Sequence, residues 1–152
     1  MRELITFPNK LLRQKSKPVK NIDSEIKALA EEMIQFMRLH RGDKFLPVGL
    51  AAPQLGELLR VIAFTQNPRQ DNIQVLINPE LVYEKGRHLV LEGCLSLPGK
   101  VFTLKRAKIV KIRGLTLDGV VRSFHGRDLL AQIFTHELGH LDGLLIDKIG
   151  EK

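Results

Sequence analysis

His136-Glu137-Leu138-Gly139-His140 reads H-E-x-x-H. On an α-helix this spacing stands two imidazoles on one face, roughly 6 Å apart, close enough to bind one divalent ion between them. Glu137, one position on, points to the rim of that face, where it would not ligate but could hold the proton of a metal-bound water. Two imidazoles do not complete a site, so a third ligand must come from elsewhere in the chain. The outstanding candidate is Cys94, the only thiol, in Glu92-Gly93-Cys94-Leu95-Ser96-Leu97-Pro98, directly after an apparent strand. A thiolate with two imidazoles leaves one tetrahedral position open, the arrangement of a catalytic rather than a structural site. A buried structural thiol is the competing reading. The glycine before Cys94 and the proline after it argue instead for a shaped loop.

The helix that carries the histidines is expected from about Arg127 to Leu141, ending near Gly143. Upstream, Lys108 to Thr116 and Val120 to Phe124 flank Asp118-Gly119 and read as an antiparallel hairpin. Leu81 to Glu84 and His88 to Leu91 flank Lys85-Gly86-Arg87 and read as another. Leu58 to Thr65 and Ile73 to Asn78 are β-rich runs separated by a polar stretch containing Pro68. Nearer the start, Ile26, Leu29, Ala30, Met33, Phe36 and Met37 recur at helical spacing, between an N-cap at Asp23 or Ser24 and a stop at Gly42 after Arg41. The methionines there read as core filler. Pro8 and Pro18 punctuate a basic arm expected to wrap the surface ahead of that helix. Strands between an early and a late helix predict an α+β fold: antiparallel β-sheets packed around a C-terminal metal-binding helix, with an N-terminal helix.

A chain of 152 residues predicts one domain over residues 1–152, large enough to bury a core without disulfides, and a single cysteine can form none internally. No apolar run is long enough to cross a bilayer, and the first residues lack the pattern of a secretory signal. A reducing cytoplasm is the expected location. Against 17 acidic residues stand 24 basic ones, a net charge of +7 that favours encounters with polyanions such as ribosomal RNA. The charges are dispersed and aromatics few, which fits an ordinary basic solvated surface equally.

A third segment, Val48-Gly49-Leu50-Ala51-Ala52-Pro53-Gln54, precedes the Cys94 loop and the H-E-x-x-H helix. Together, in that order and at those separations, the three motifs resemble peptide deformylase over nearly the whole chain. The resemblance implies hydrolytic removal of the formyl group from the N-terminal methionine of nascent polypeptides, releasing formate. It implies one divalent ion per chain, ferrous iron in the cell with zinc, nickel or cobalt as substitutes, held by Cys94, His136 and His140. Glu137 would be the general acid/base, and Gln54 with the backbone N–H of Leu95 would stabilise the oxyanion. For the methionine side chain, Leu129 and Ile133 share the helix face of His136 and are expected to form one wall, with Val48 and Val90 as the other, while each of the four reads equally as plain core. The backbone at Val48, Gly49 and Gly93 could pair with an extended substrate as an added strand. Expected partners are formylmethionyl nascent peptides and, transiently, the ribosome, with no DNA and no membrane. The chain is expected to be a monomer or a weak homodimer.

Four positions depart from the family's pattern. Pro47 replaces a glycine, Thr135 a glutamine before the first histidine, and Gly139 an aspartate before the second, while Gln132 adds a polar group on the pocket side. A carboxylate at 139 could have paired with a cation such as Arg106 or oriented a ligand, so its loss is expected to loosen the support of the metal. None of these changes removes a ligand, the base or the oxyanion donor, so activity is expected to persist with altered rate or acyl preference. Two other readings stay open: an amidohydrolase with a different N-acyl preference, and a non-catalytic paralogue that binds ribosomes or nascent chains. A zinc endopeptidase fits less well, because no histidine or glutamate follows His140 except Glu151.

Overall fold

The computed structural model describes residues 2–40, 48–67 and 70–149. Asp23 is the N-cap of α1 (Ser24–Leu39), its carboxylate accepting from the Ile26 N–H at 3.1 Å. All six apolar residues read at helical spacing lie on the buried face. The expected stop at Gly42 lies outside the described residues, as do Arg41, Pro47 and Pro68. Strands β1 (Gly49–Ala51), β2 (Val61–Thr65), β3 (Ile73–Lys85), β4 (His88–Cys94), β5 (Leu97–Arg106), β6 (Ile109–Leu115) and β7 (Val121–Arg127) follow. Helix α2 (Leu129–Leu141) and the short α3 (Ile146–Ile149) close the described chain. β1, β2, β3, β6 and β7 form one sheet in the order β1-β2-β3-β6-β7, and β4 with β5 forms a second; every pairing is antiparallel.

Strand β2 explains the layering. Successive side chains on a strand point to opposite faces, and here both faces are covered: Val61 and Ala63 join the cluster under α1, while Ile62 and Phe64 join the one under α2. That is why Val61-Ile62-Ala63-Phe64 is a continuous apolar run rather than an alternating one. Phe64 stands edge-on to Phe124 and Phe134, with ring centroids 5.0 Å away in each case, the arrangement aromatic quadrupoles favour. α2 is thus fixed on the sheet by its Ala131 and Phe134 side, leaving another stripe for the site.

Two sequence expectations need correction. Strand β3 does not end at Asn78. The chain bulges there, with Asn78 at φ 52° and the register shifting between Ile77 and Glu80, and then continues. Asparagine tolerates the left-handed region, and its side chain clasps Val19, accepting from the N–H at 2.8 Å and donating to the carbonyl at 2.9 Å. The supposed hairpin of Leu81–Glu84 with His88–Leu91 is likewise absent. Leu81 and Glu84 pair with Ile112 and Val110 of β6, whereas β4 turns away at Gly86 (φ 76°) and pairs with β5. Separate burial makes this possible: Leu97, Phe102 and Leu104 of β5 form a core of their own with Leu12, Leu145 and Ile146. The hairpin of β6 and β7 and the helix α2 lie where the sequence placed them.

The N-terminal arm does wrap the surface, and it also stitches the parts together. Ile5 N–H donates to the Gln54 carbonyl at 2.7 Å, Phe7 N–H to Ser96 at 2.8 Å and Ser16 N–H to Leu141 at 2.8 Å. One turn of 3-10 helix, Lys10–Arg13, buries Leu12 between these anchors. Among the described residues no helix is long and apolar enough to cross a membrane.

Candidate metal centre and active-site cleft

Residues His136 and His140, one turn apart on α2, turn their Nε2 atoms toward each other at 3.2 Å, and Cys94 Sγ lies 3.3 Å from His140 Nε2. All three donor atoms lie within 4.8 Å of one another. Nitrogen and sulfur ligands around one tetrahedral ion, at about 2.1 and 2.3 Å, stand roughly 3.3–3.6 Å apart, so the His136–His140 and Cys94–His140 pairs already have close to the spacing a single ion needs. Cys94 reaches the site because the register of β4 against β5 slips between Gly93 and Cys94, bending the strand end toward α2. The structure therefore brings together the three residues read as ligands.

The support behind the triad was not assigned a role from sequence. Glu92 Oε2 lies 2.6 Å from His136 Nδ1, and the same carboxylate takes Arg106 Nε at 3.0 Å and Nη2 at 2.6 Å. Burial would push Glu92 upward, but the His136 and Arg106 contacts outweigh it and hold the carboxyl down at about 2. Arg106 is therefore engaged by Glu92 without a carboxylate at 139. A signal was present: Glu92 lies two residues before Cys94 in a strand, hence on the same face.

Around His136 burial disfavours the imidazolium, yet the charge of Glu137 and the side-chain contacts with Cys94 and Glu92 win and raise its proton affinity well above the ordinary value. That field attracts a metal cation equally. His140 goes the other way, pushed well below its ordinary value by burial and then by His136, which keeps a nitrogen lone pair free for ligation. Glu137 is 4 % exposed, its Oε1 has no hydrogen-bond partner among the described residues, and burial raises its pKa to about 7 although His136 pulls it down. A carboxyl so poised can both take and return a proton near neutrality.

Gln54 is oriented rather than merely present. Its Oε1 accepts from the Ala51 N–H at 3.0 Å, so the amide nitrogen faces Ser96 Oγ at 3.2 Å and Cys94 Sγ at 3.9 Å. Ser96 donates onward to the Ile5 carbonyl at 2.7 Å, leaving its oxygen to accept from Gln54. Ser96 is a second residue to which the sequence reading gave no role.

A cleft of about 400 Å³ opens over these groups, lined by Val48, Gly49, Gln54, Gly93, Cys94, Leu95, Leu129, Ile133, His136 and Glu137 among others. Val90 is not among its walls. It is packed in the cluster around Leu97 and Leu12, while the 72 % exposed Leu91 lines the cleft instead. Gln132 also lines the cleft and donates to the Leu91 carbonyl at 3.3 Å. Thr135 turns back on its own helix, its hydroxyl donating to Ala131 O at 3.0 Å.

A model of the polypeptide deformylase family matches residues 1–152. The chain belongs to that family. It is 42 % identical over 146 residues to the peptide deformylase of Dictyoglomus thermophilum, covering 96 % of this chain and 90 % of the relative. Among solved structures, a Legionella pneumophila peptide deformylase superposes with TM-score 0.91 at 34 % identity, covering 99 % of this chain and 86 % of the other. The Thermotoga maritima peptide deformylase gives 0.88 at 30 % identity, with 100 % and 99 % covered. Polypeptide deformylases are metal-dependent hydrolases that act on formylated nascent peptides, and the Cys94, His136 and His140 cluster fits that requirement.

Proposed function

We propose that this deformylase family member removes the formyl group from N-terminal formylmethionine at the cleft over Cys94, His136 and His140, with ferrous iron as its ion in the cell. The observation that carries the reading is a soft cysteine sulfur and two imidazoles converging on one point at the floor of an apolar cleft, with the buried Glu137 beside them. A thiolate favours iron or zinc over magnesium or calcium, with zinc, nickel and cobalt as workable substitutes. When bound, the ion supplies Lewis acidity, activating water and polarising the formyl oxygen.

The chain's own residues do the rest. Glu137, held near 7, accepts the proton from water and delivers it to the departing amine. The Gln54 amide, locked with its nitrogen inward, and the Leu95 N–H donate to the oxygen on which charge accumulates. Leu129 and Ile133, with Val48 opposite, receive the methionine side chain, and Leu91 takes the place first given to Val90. The main chain at Gly49 and Gly93 binds the peptide as an added strand. Supporting one catalytic domain over residues 1–152, the N-terminal arm hydrogen-bonds to the Gln54 segment, the Cys94 loop and the end of α2. A cytoplasmic, monomeric or weakly dimeric enzyme that meets the ribosome transiently completes the proposal.

The test is a formate-release assay on anaerobically purified protein, with metal content measured in the same sample and acetyl peptides alongside formyl-Met-Ala. Stoichiometric iron and formyl-selective hydrolysis are expected. A preference for another acyl group would point to a different amidohydrolase on this scaffold. Absence of any turnover would favour the non-catalytic paralogue.

A further inference from the structure

Behind α2 a second cavity, of about 580 Å³, opens between the helix and the bulge of β3. Its helix wall is the stripe Thr135, Leu138, Gly139 and Asp142, spaced i, i+3, i+4 and i+7, whereas the cleft takes Leu129, Gln132, Ile133 and His136. The acidic side chains at this cavity are already matched: Asp142 holds Arg60 at 3.1 Å and Glu80 holds Arg113 at 3.1 Å. Arg106 also lines it and is only 8 % exposed. It spends Nε and Nη2 on Glu92, and Nη1 donates to no acceptor among the described residues. Glu92 lines the cleft and Arg106 the rear cavity, so the pair spans the layer between the two. Gly139 leaves space on the rear side, since a Cβ built there would meet nothing nearer than Leu144 O at 3.6 Å.

We propose that this rear cavity binds a small carboxylate, of formate or acetate size, on the open edge of Arg106. A guanidinium whose third nitrogen is unclaimed offers a carboxylate parallel, charge-assisted donors. Pro79, Leu81, Leu138 and Leu144 supply an apolar wall for a short alkyl group. Because Arg106 holds the carboxylate that holds His136 Nδ1, the bound anion is one ion pair removed from the metal centre. The site stands whatever acyl group the cleft accepts.

The test is an amide chemical-shift titration of zinc-loaded protein with sodium acetate, against sodium chloride at equal ionic strength. Saturable shifts in residues 78, 80, 81 and 138–144 are expected, with a Kd on the order of millimolar, as befits one guanidinium–carboxylate contact. Gly139→Asp, which places a carboxylate in the cavity, should weaken acetate binding there at least about tenfold, while Gly139→Ala should not. Linear, non-saturating shifts in the wild type, or saturable shifts confined to residues 93–95 in the cleft, would overturn the proposal. So would a Gly139→Asp protein, folded by its spectrum, that binds acetate at the rear as the wild type does. The wild-type titration decides without the variants.

Discussion

At the scale of single residues, Glu92 backs the cluster of Cys94, His136 and His140, its carboxylate joining His136 to Arg106. Helical spacing and the lone thiol made that cluster readable in the sequence, whereas Glu92 and Ser96 depend on partners that only folding brings together. Glu137→Gln keeps the shape but cannot take a proton. Turnover should fall about 10²–10⁴-fold with metal content unchanged, as formate release and elemental analysis would show. Glu92→Ala is expected to act differently. It strips the counter-charge from Arg106, which is 8 % exposed, so urea unfolding should show a loss of about 3–5 kcal/mol. It also frees His136 Nδ1, so metal affinity in chelator competition should drop roughly 10–100-fold. Gly49 illustrates a close approach: an added Cβ would stand 2.5 Å from Glu137 Oε2. Gly49→Ala must therefore displace the base, and at least about a tenfold fall in kcat is expected, about 1.4 kcal/mol of barrier, with little change in metal content.

At the scale of elements, α1, α2 and the β6–β7 hairpin could be read because each carries a local period and local punctuation. Strand β5 could not, since Pro98 and Gly99 (φ 76°) at its start look like loop, and its burial comes from Leu12 and Ile146, far away in sequence. The same core shows how the N-terminal arm is held. Arg13 grips Asp147 of α3 through Nη1 at 3.2 Å and Nη2 at 2.7 Å. The Arg13 hydrogen bonds, aided by its charge, hold the Asp147 carboxyl below its ordinary 3.8 against a smaller push upward from burial. A depressed folded value means the pair stabilises the fold above the ordinary value and that this contribution disappears as pH falls through the lowered one. Both groups are partly exposed, so the effect is small. Asp147→Asn should cost about 0.5–1 kcal/mol at pH 7, and the difference from wild type in denaturant melts should shrink as pH drops below 3.8.

At the scale of the whole molecule, the cleft is a gap between two sheets. The sequence reading had antiparallel sheets around the last helix, but the division into five strands and two rests on long-range pairing that no local pattern encodes. β1 is the terminal strand of the large sheet and β4 has β5 as its one partner among the described residues, and both strands line the cleft, at Gly49 and at Leu91 to Cys94. Two strand edges flanking a channel offer main-chain donors and acceptors to an extended peptide from either side. Such binding reads backbone and not side chains beyond the first, as a catalyst serving many nascent chains requires. N-methylating the amide of the second residue of a formyl-Met tripeptide should therefore lower kcat/KM roughly ten- to a hundredfold, the result of leaving one strand partner unsatisfied. Exchanging the side chain of that same residue from alanine to serine or lysine should change it only a few-fold. If the methylated peptide were cleaved as fast as its parent, the strand-like docking between the two sheets would be wrong, even with every residue of the metal centre in its assigned role.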